Sequence, residues 1–195
     1  MNPFDLSNKV ICVTGASSGI GRQCAVSCSR MGATVVLLAR NEQRLHETLS
    51  IMDNPDKHVI IPVDLTEYAT VELVVKNIVS QVGRISGVLH CAGISTTLPL
   101  KLVTPEKLDE FFQANVFSAY NLTREVCKMG NFSKEGGSIV FFSSVMGKVG
   151  ENGKSLYGMT KGALVSGTRS LACELAKKKI RVNTVSPGVV ITPIN

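Results

Sequence analysis

Six short apolar runs alternate along the chain with segments of helical pattern, and this alternation constrains the fold more than any other feature. The runs are rich in valine and isoleucine, and they are apolar on both faces, which is typical of buried parallel strands. They lie at 10–14, 34–39, 58–63, 85–92, 138–144 and 180–186. The helical patterns between them lie at 19–31, 41–51, 67–82, 104–129 and 155–178. Strict alternation predicts a doubly wound α/β sheet with right-handed crossovers.

Pro62 stands near the end of the third apolar run. Because proline has no N–H to donate within a sheet, the third strand belongs at a sheet edge. The Rossmann-like strand order 3-2-1-4-5-6 places it there, with helices on both faces of the sheet. No repeat, low-complexity segment or linker interrupts the pattern, so residues 1–195 are predicted to form a single domain.

Composition and hydropathy restrict the class of protein. With 195 residues, 44% of them apolar and 18% charged, the chain can bury one core. No apolar run reaches the roughly 18 to 20 residues that a membrane-spanning helix needs. The first residues, MNPFDLSNKV, lack a basic region followed by an apolar stretch. These observations predict a cytoplasmic protein with no membrane partner.

Cysteine placement gives no sign of a metal site. The six cysteines stand singly within apolar segments, with no C-x-x-C pair and no nearby histidine pair. We interpret them as reduced core residues and predict no bound metal. They are Cys12, Cys24, Cys28, Cys91, Cys127 and Cys173.

The net charge of +6 is a mild excess, and three consecutive lysines at 177–179 contribute to it. They stand at the end of a predicted helix, where cations complement the helix dipole. Aromatic residues make up only 5% of the chain and are scattered, so they do not predict a base-stacking surface. Nucleic-acid binding is therefore not predicted.

A glycine-rich turn leads directly from the first predicted strand into the first predicted helix. Such glycines let the backbone approach a pyrophosphate, and the free N–H groups of the helix N-terminus favour anions. The alternative is a tight turn that serves helix packing alone, but the flanking strand and helix favour dinucleotide binding. The turn comprises Gly15, Ala16, Ser17, Ser18, Gly19, Ile20 and Gly21.

The end of the second strand indicates which dinucleotide is preferred. Enzymes that prefer NAD carry an acidic residue there for the ribose hydroxyls, whereas this chain has Ala39 followed by Arg40. A guanidinium matches a 2′-phosphate well, so NADP (NADPH) is predicted. The alternative is that Arg40 is only a surface residue at a helix start.

Asp64 follows the third strand, where its carboxylate is placed to accept a hydrogen bond from an adenine amino group. The alternative is an N-cap for the helix that begins near Glu67.

The stretch SLYGMTKG places Tyr157 and Lys161 four residues apart on one predicted helix face. A nearby cation lowers the pKa of a phenol by about 1 to 3 units, toward the range useful for proton transfer. Alone, such a pair is usually a surface feature. Here, however, the glycine turn, Ala92-Gly93, Ser143-Ser144 and Pro187-Gly188 all follow strand ends, and open α/β sheets bind ligands along that edge.

These residues together resemble the short-chain dehydrogenase/reductase family. The resemblance spans nearly the whole chain, and Ser144 rather than Ser143 matches because the family's serine lies thirteen residues before its tyrosine. Ser143 is predicted to cap or pack instead. The matching features are T-G-x-x-x-G-I-G from Thr14, Ala92-Gly93, Asn115, Ser144, Tyr157-x-x-x-Lys161, Pro187-Gly188 and Thr192.

What the resemblance implies is an NADP-dependent oxidoreductase that interconverts a ketone and a secondary alcohol by hydride transfer. Tyr157 would donate the proton to the carbonyl oxygen, and Ser144 would hydrogen-bond the same oxygen. Lys161 would hold the nicotinamide ribose and lower the tyrosine pKa. Asn115 would position a water for proton relay, the alternative being an amide bonded within its own helix.

The resemblance also implies a cofactor-binding set and a domain assignment. Residues 1–195 are then a single dinucleotide-binding Rossmann domain that carries the catalytic residues as well. The cofactor-binding set comprises Gly15, Ser17, Ser18, Gly19, Ile20, Gly21, Arg40, Asp64, Leu65, Ala92, Gly93, Tyr157, Lys161, Pro187, Gly188, Val190 and Thr192.

The chain departs from the family pattern in two places. The family often has N-N-A-G after the fourth strand, whereas here the sequence is His90-Cys91-Ala92-Gly93. We interpret Cys91 as a packing residue and His90 as a hydrogen-bonded residue at a strand end. The family also continues beyond the equivalent of TPIN through a substrate-covering segment and a seventh strand. We therefore expect further C-terminal sequence, with a natural fragment as the alternative.

Among family members the stretch SVMGKVGENGKSLYGMTKGAL is most similar to 3-oxoacyl-(acyl carrier protein) reductases. This implies a small-molecule carbonyl or alcohol substrate that can be carried by acyl carrier protein. A non-catalytic NADP(H)-binding sensor or scaffold is the alternative function. In the family the two long helices pair with symmetry mates, so a homodimer or homotetramer is expected through 104–129 and 155–178.

Overall fold

Six parallel strands form one sheet in the order β3-β2-β1-β4-β5-β6 in the computed structural model, which describes residues 4–193. The predicted topology is confirmed, including the edge position of the third strand, where Pro62 pairs with Ala39 at the last register position. The strands are β1 (Val10–Thr14), β2 (Thr34–Ala39), β3 (Val59–Pro62), β4 (Gly87–His90), β5 (Gly137–Phe142) and β6 (Ile180–Val185).

Among the described residues, six α-helices connect and flank the strands, close to the predicted ranges. Short 3₁₀ turns occur at Pro55–Lys57, Leu100–Leu102, Val145–Gly147 and Ala176–Lys178. The helices are α1 (Gly19–Arg30), α2 (Glu42–Leu49), α3 (Tyr68–Val82), α4 (Pro105–Phe112), α5 (Ser118–Val126) and α6 (Ser155–Leu175).

The predicted bounds of the fourth helix and of the fourth strand are wrong. The helix predicted over 104–129 is divided, because a π-helical segment, Gln113–Phe117, separates α4 from α5. Such segments insert an extra residue into a turn and re-aim side chains. The strand predicted over 85–92 is only Gly87–His90, since the N–H of Cys91 turns back to the carbonyl of Leu89 at 3.1 Å.

Successive side chains of β1 point to opposite faces of the sheet, and each face packs against its own core. Val10 and Cys12 face one core, which also contains residues of α3, α5 and α6. Ile11 and Val13 face the other, which contains residues of α1 and α2. Each face of the central strands therefore buries its own hydrophobic layer, as expected for a doubly wound sheet.

The outer strand β6 differs from the central strands. Ile180 and Val182 are buried toward α6, whereas Arg181, Asn183 and Val185 are exposed. Alternation of buried and exposed residues marks a strand covered on one face only. Within residues 4–193, no helix is long and apolar enough to cross a membrane, and no group of three or more His, Cys, Asp or Glu side chains is placed to hold a metal ion.

Candidate active site

The turn after β1 is shaped by close backbone approaches that only glycine allows. Gly15 has a φ of +65°, and a Cβ there would lie 2.9 Å from the backbone nitrogen of Ala92. A Cβ on Gly21 would lie 2.2 Å from the carbonyl oxygen of Gly15. The first turn of α1 is therefore held tightly against the end of β1 and the segment after β4, with its N-terminus facing the sheet edge.

A cleft of about 710 Å³ opens above this turn, at the carboxyl ends of the strands. It also includes residues that the sequence analysis missed, among them Asn41, Arg44, Thr66 and Ile94. The structure brings twelve residues of the expected cofactor-binding set together in its lining: Gly15, Ser17, Ser18, Gly19, Ile20, Gly21, Arg40, Asp64, Leu65, Ala92, Gly93 and Thr192.

Five expected cofactor-binding residues lie outside this lining, namely Tyr157, Lys161, Pro187, Gly188 and Val190. The carbonyl of Pro187 accepts a hydrogen bond from the N–H of Val145 at 3.0 Å. Pro187 therefore ties the segment after β6 to the loop after β5, rather than lining the cleft.

Arg40 and Asp64 both line the cleft and lie beside each other, after the neighbouring strands β2 and β3. The Arg40 side chain is 77% exposed, and its Nη1 lies 3.8 Å from Oδ2 of Asp64. Since the side chain of Asp64, its ion-pair partner within residues 4–193, is itself 39% exposed, the Arg40 guanidinium is available to a ligand. This observation agrees with either expectation for Arg40, a phosphate contact or a surface residue.

Asp64 has a local structural task as well. Its Oδ1 accepts hydrogen bonds from the N–H of Thr66 at 2.9 Å and from the Thr66 hydroxyl at 2.7 Å. Burial acts to raise the Asp64 pKa, but these bonds and the charge of Arg40 outweigh it and lower the pKa. Asp64 is not the N-cap of α3, because that position belongs to Glu67.

Ser144, Tyr157 and Lys161 converge beside the cleft from β5 and α6. The Ser144 hydroxyl accepts from the N–H of Met146 at 3.2 Å and lies near enough to the Tyr157 phenol to influence its pKa. Lys161 Nζ lies 5.6 Å from the centroid of the Tyr157 ring and donates to the carbonyl of Phe142 at 2.9 Å. A phenol, a hydroxyl and a cation thus share one corner of the sheet edge.

The expected lowering of the Tyr157 pKa by Lys161 is not found in this structure. Burial raises the Tyr157 pKa, and the nearby Ser144 hydroxyl acts in the opposite direction without cancelling it. Burial also lowers the pKa of Lys161 to about 8. Both shifts have one cause, since a site of low polarity disfavours the charged form of each group.

Asn115 is only 1% exposed, and its amide is engaged on both sides. Oδ1 accepts from the N–H of Ile94 at 2.7 Å, while Nδ2 donates to the carbonyl of Ile94 and to the Thr160 hydroxyl, each at 3.0 Å. These partners lie outside the helix that carries Asn115, so the alternative of an amide bonded within its own helix is wrong. Its contacts link the segment after β4 to α6.

Ser143 packs as predicted, with its hydroxyl directed at α6. It is buried, and its hydroxyl donates to the carbonyl of Lys161 at 2.8 Å. A Cβ on Gly147 would lie 2.9 Å from the carbonyl carbon of Lys161. The loop after β5 and the Lys161 turn of α6 are therefore in close contact.

Lys154 is a site residue that the sequence analysis missed. Its Nζ lies 5.9 Å from the Tyr157 ring centroid and donates to the carbonyl of Thr96 at 3.2 Å. Lys154 occupies the N-cap of α6, which has no acidic residue in its first turn. A cation at the positive end of a helix dipole is unfavourable. A lysine directly before the start of the predicted helix was therefore the sequence signal that could have identified Lys154.

His90 is hydrogen-bonded at the end of β4 as expected, although one ring nitrogen has no partner within residues 4–193, whereas Cys91 does more than pack. The Nε2 atom of His90 pairs with the Thr123 hydroxyl at 2.9 Å, but Nδ1 has no partner among the described residues. Burial lowers the His90 pKa to about 3, so the ring is neutral. Cys91 lines the cleft rather than only packing. All six cysteines are free thiols, and the core assignment fails for Cys173, which is exposed.

A doubly wound parallel sheet, with a glycine turn and a cleft at the carboxyl ends of its strands, defines a dinucleotide-dependent oxidoreductase of the Rossmann type. The family model described as short chain dehydrogenase matches residues 9–195. The chain belongs to the short-chain dehydrogenase family, whose members use NAD(P)(H) and act on small molecules.

Three similar proteins illustrate the range of this family. An uncharacterised oxidoreductase of Staphylococcus epidermidis is 32% identical over 97% of this chain and 81% of its own length. The chloroplastic NADPH-dependent aldehyde reductase 1 of Arabidopsis thaliana is 34% identical over 97% of this chain and 68% of its own length. Among solved structures, 3-ketoacyl-(acyl-carrier-protein) reductase from Brucella melitensis, complexed with NADH, superimposes with a TM-score of 0.90. Its sequence is 29% identical, and the match covers 97% of this chain and 79% of that protein.

Proposed function

We propose that this protein is an NADP-dependent oxidoreductase that reduces a ketone to a secondary alcohol, or catalyses the reverse. The observation that carries the proposal is the meeting of Ser144, Tyr157 and Lys161 beside the cleft above the glycine turn. We also propose that residues 1–195 act as one dinucleotide-binding domain that holds both the cofactor and the reacting groups.

When bound, the nicotinamide cofactor supplies or accepts the hydride. Tyr157 donates a proton to the substrate oxygen during reduction, and the Ser144 hydroxyl hydrogen-bonds that oxygen. Lys161, with its pKa near 8, holds the cofactor ribose and places positive charge beside the phenol. Asn115 acts as a positioning residue, because it fixes the Ile94 backbone and, through Thr160, the turn of α6 that carries Tyr157.

The cleft fits a dinucleotide in volume and in chemistry. The α1 N-terminus offers backbone N–H groups to a pyrophosphate, and Thr192 Oγ1 is a buried hydroxyl without a hydrogen-bond partner among the described residues. Arg40, exposed at the end of β2 beside Asp64, supports a preference for the 2′-phosphate of NADPH. The Arabidopsis relative is NADPH-dependent, whereas the Brucella structure contains NADH, so the relatives do not favour one cofactor over the other. The proposed preference for NADPH therefore rests on Arg40.

For the substrate we propose a 3-oxoacyl thioester of the acyl carrier protein type. The support is the likeness to the Brucella reductase and the stretch between Ser144 and Lys161. The test is NADPH oxidation with a panel of oxoacyl thioesters, sugars and simple ketones. Turnover is expected for the thioesters with the wild type and at least a hundredfold less with Tyr157→Phe. NADPH binding without turnover of any substrate would contradict catalysis and indicate a sensor or scaffold.

We further propose a homodimer or homotetramer formed through α4, α5 and α6. Phe117, Tyr120 and Met159 are 45%, 53% and 50% exposed, which is unusual for large apolar side chains on neighbouring helices. Light scattering at micromolar concentration is expected to give a multiple of the 20.9 kDa chain mass. A monomer would contradict this proposal.

A further inference from the structure

Two side chains outside the cleft lining, Arg22 and Thr48, hold carbonyl groups of the glycine turn. Arg22 lies in the first turn of α1 and Thr48 in the last turn of α2. Nη2 of Arg22 donates to the carbonyl of Ser17 at 2.8 Å, and the Thr48 hydroxyl donates to the carbonyl of Ala16 at 2.9 Å. Nε of Arg22 also donates to the Thr48 oxygen at 3.0 Å, so the two contacts form one connected group.

These contacts fix the direction of two backbone N–H groups. In a trans peptide unit, which is planar, the C=O and the N–H point in opposite directions. The carbonyl of Ser17 shares its peptide unit with the N–H of Ser18, and the carbonyl of Ala16 shares its unit with the N–H of Ser17. Both serines line the cleft, whereas the side chains that hold the two carbonyls do not. Holding these carbonyls away from the cleft therefore turns the two N–H groups toward it.

We propose that Arg22 and Thr48 are positioning residues of the cofactor site, which aim the Ser17 and Ser18 N–H groups at the cofactor pyrophosphate. This inference rests on the proposed cofactor site. Backbone N–H groups at a helix N-terminus bind phosphate well, but a hydrogen bond weakens steeply when its donor is misdirected. A turn rich in glycine has wide conformational freedom, so side chains that select one conformation improve its fit to the ligand.

Burial strengthens these contacts. Thr48 is fully buried, and the Arg22 side chain is only 31% exposed, so water competes little for their hydrogen bonds. Nη2 of Arg22 also donates to Oε2 of Glu47 at 3.0 Å, but the Glu47 side chain is 51% exposed. Because an exposed ion pair contributes little, the contacts with the turn, and not the pair with Glu47, are expected to set the position of the turn.

A purely structural role for Arg22 would give a different result. Helix α2 carries Arg44, and Arg40 stands just before the helix; both arginines line the cleft. If Arg22 only anchored α2, its loss would displace these arginines and weaken NADPH, which carries the 2′-phosphate, more than NADH. Misdirected N–H groups in the turn act instead on the pyrophosphate that both nucleotides share. The proposal therefore predicts equal weakening of both.

The test is fluorescence titration of the full chain and its variants with NADPH and with NADH, with circular dichroism to confirm folding. Arg22→Met should bind both nucleotides about tenfold more weakly, because the bonds of two N–H groups to a charged ligand are impaired. Thr48→Val, which has nearly the same shape without the hydroxyl, should bind both about threefold more weakly. Thr48→Ser keeps the hydroxyl and should retain most of the affinity. Arg30→Met, the matched control at the far end of α1, should change neither affinity.

Several results would overturn the proposal. These are unchanged affinity in Arg22→Met or Thr48→Val, a loss in Thr48→Ser equal to that in Thr48→Val, an equal loss in Arg30→Met, or a larger loss for NADPH than for NADH. If Arg22→Met does not fold, the two Thr48 variants decide the question. A wild-type chain that binds neither nucleotide would overturn the proposed cofactor site and this inference with it. Nucleotide binding with the expected losses but without turnover of any substrate would contradict only the proposed catalysis.

Discussion

The proposed cofactor side and the proposed proton-transfer side of the cleft are built in different ways. The cofactor side depends on seven consecutive residues, Gly15 to Gly21, and its decisive contacts are between backbone atoms. The proton-transfer side is assembled from β5, α6, the π-helical segment and the segment after β4. Its decisive contacts are made by side chains, such as the Asn115 amide on Ile94.

This difference predicts how each side responds to mutation. A backbone cradle is part of the fold, so changing it affects stability and cofactor binding together. A side chain at the reactive corner can lose its chemistry while the fold persists, because only its terminal atoms take part. The predictions below test this contrast, from the largest expected effect to the smallest.

Tyr157→Phe should show the contrast most clearly. Only the hydroxyl is removed, so the protein should fold and bind NADPH as before. Turnover should fall by about 10² to 10⁴, the contribution expected of a general acid. Steady-state kinetics and NADPH titration measure the two effects. Retention of more than about a tenth of the activity would mean that the pair with Lys161 is only a helix face.

Arg40→Ala tests the cofactor side through a side chain rather than the backbone. Loss of a charge-assisted phosphate contact is worth about 1.5 to 3 kcal/mol, so NADPH should bind about ten- to a hundredfold more weakly. NADH binding should be nearly unchanged, and Arg30→Ala, at the far end of α1, should alter neither. Equal weakening of both cofactors, or a selective effect in Arg44→Ala instead, would move the assignment away from Arg40.

Gly21→Ala should affect stability and cofactor binding together. Its Cβ would lie 2.2 Å from the Gly15 carbonyl oxygen, and such overpacking costs about 1–3 kcal/mol. Urea unfolding and NADPH titration should both show the loss. The matched control is Gly167→Ala within α6, where nothing lies within 4 Å, and which should stabilise by about 0.5–1 kcal/mol. Unchanged stability of Gly21→Ala would contradict the view that backbone packing of the glycine turn is part of the fold.

Lys161 should make stability depend on pH. Its folded pKa, about 8, lies below the value of 10.5 for an unburied lysine, so between these values the unfolded chain binds more protons. Stability contributed by this group should therefore rise with pH, by up to about 1 kcal/mol from pH 8 to 9. Urea unfolding should show the rise in the wild type and not in Lys161→Met. Parallel pH profiles for the two proteins would contradict the burial effect.

Lys154→Met should have the smallest effect, confined to the proton-transfer side. Loss of a cation near the Tyr157 ring is worth about 0.5–1 kcal/mol, which corresponds to a two- to fivefold lower turnover. Lys154→Arg should retain most of the activity, because the charge is kept. A loss in the arginine variant as large as in Lys154→Met would show that the contact with Thr96 matters and the charge does not.

Local signals in the sequence were enough to predict much of this protein. The apolar runs and the position of Pro62 predicted the sheet order, because strand pattern and proline chemistry act within a few residues. Gly15 and Gly21 were recognisable for the same reason, since a strand, a glycine turn and a helix are neighbours along the chain. The spacing of Tyr157 and Lys161 already placed them on one helix face.

Other features were decided only by tertiary packing. The π-helical segment at Asn115 depends on partners 21 and 45 residues away, Ile94 and Thr160, which no helical periodicity contains. The pKa directions of Tyr157 and Lys161 were set by burial, which depends on what packs over α6. Local pattern specifies which elements form, whereas long-range contacts determine the polarity, spacing and partners of each side chain.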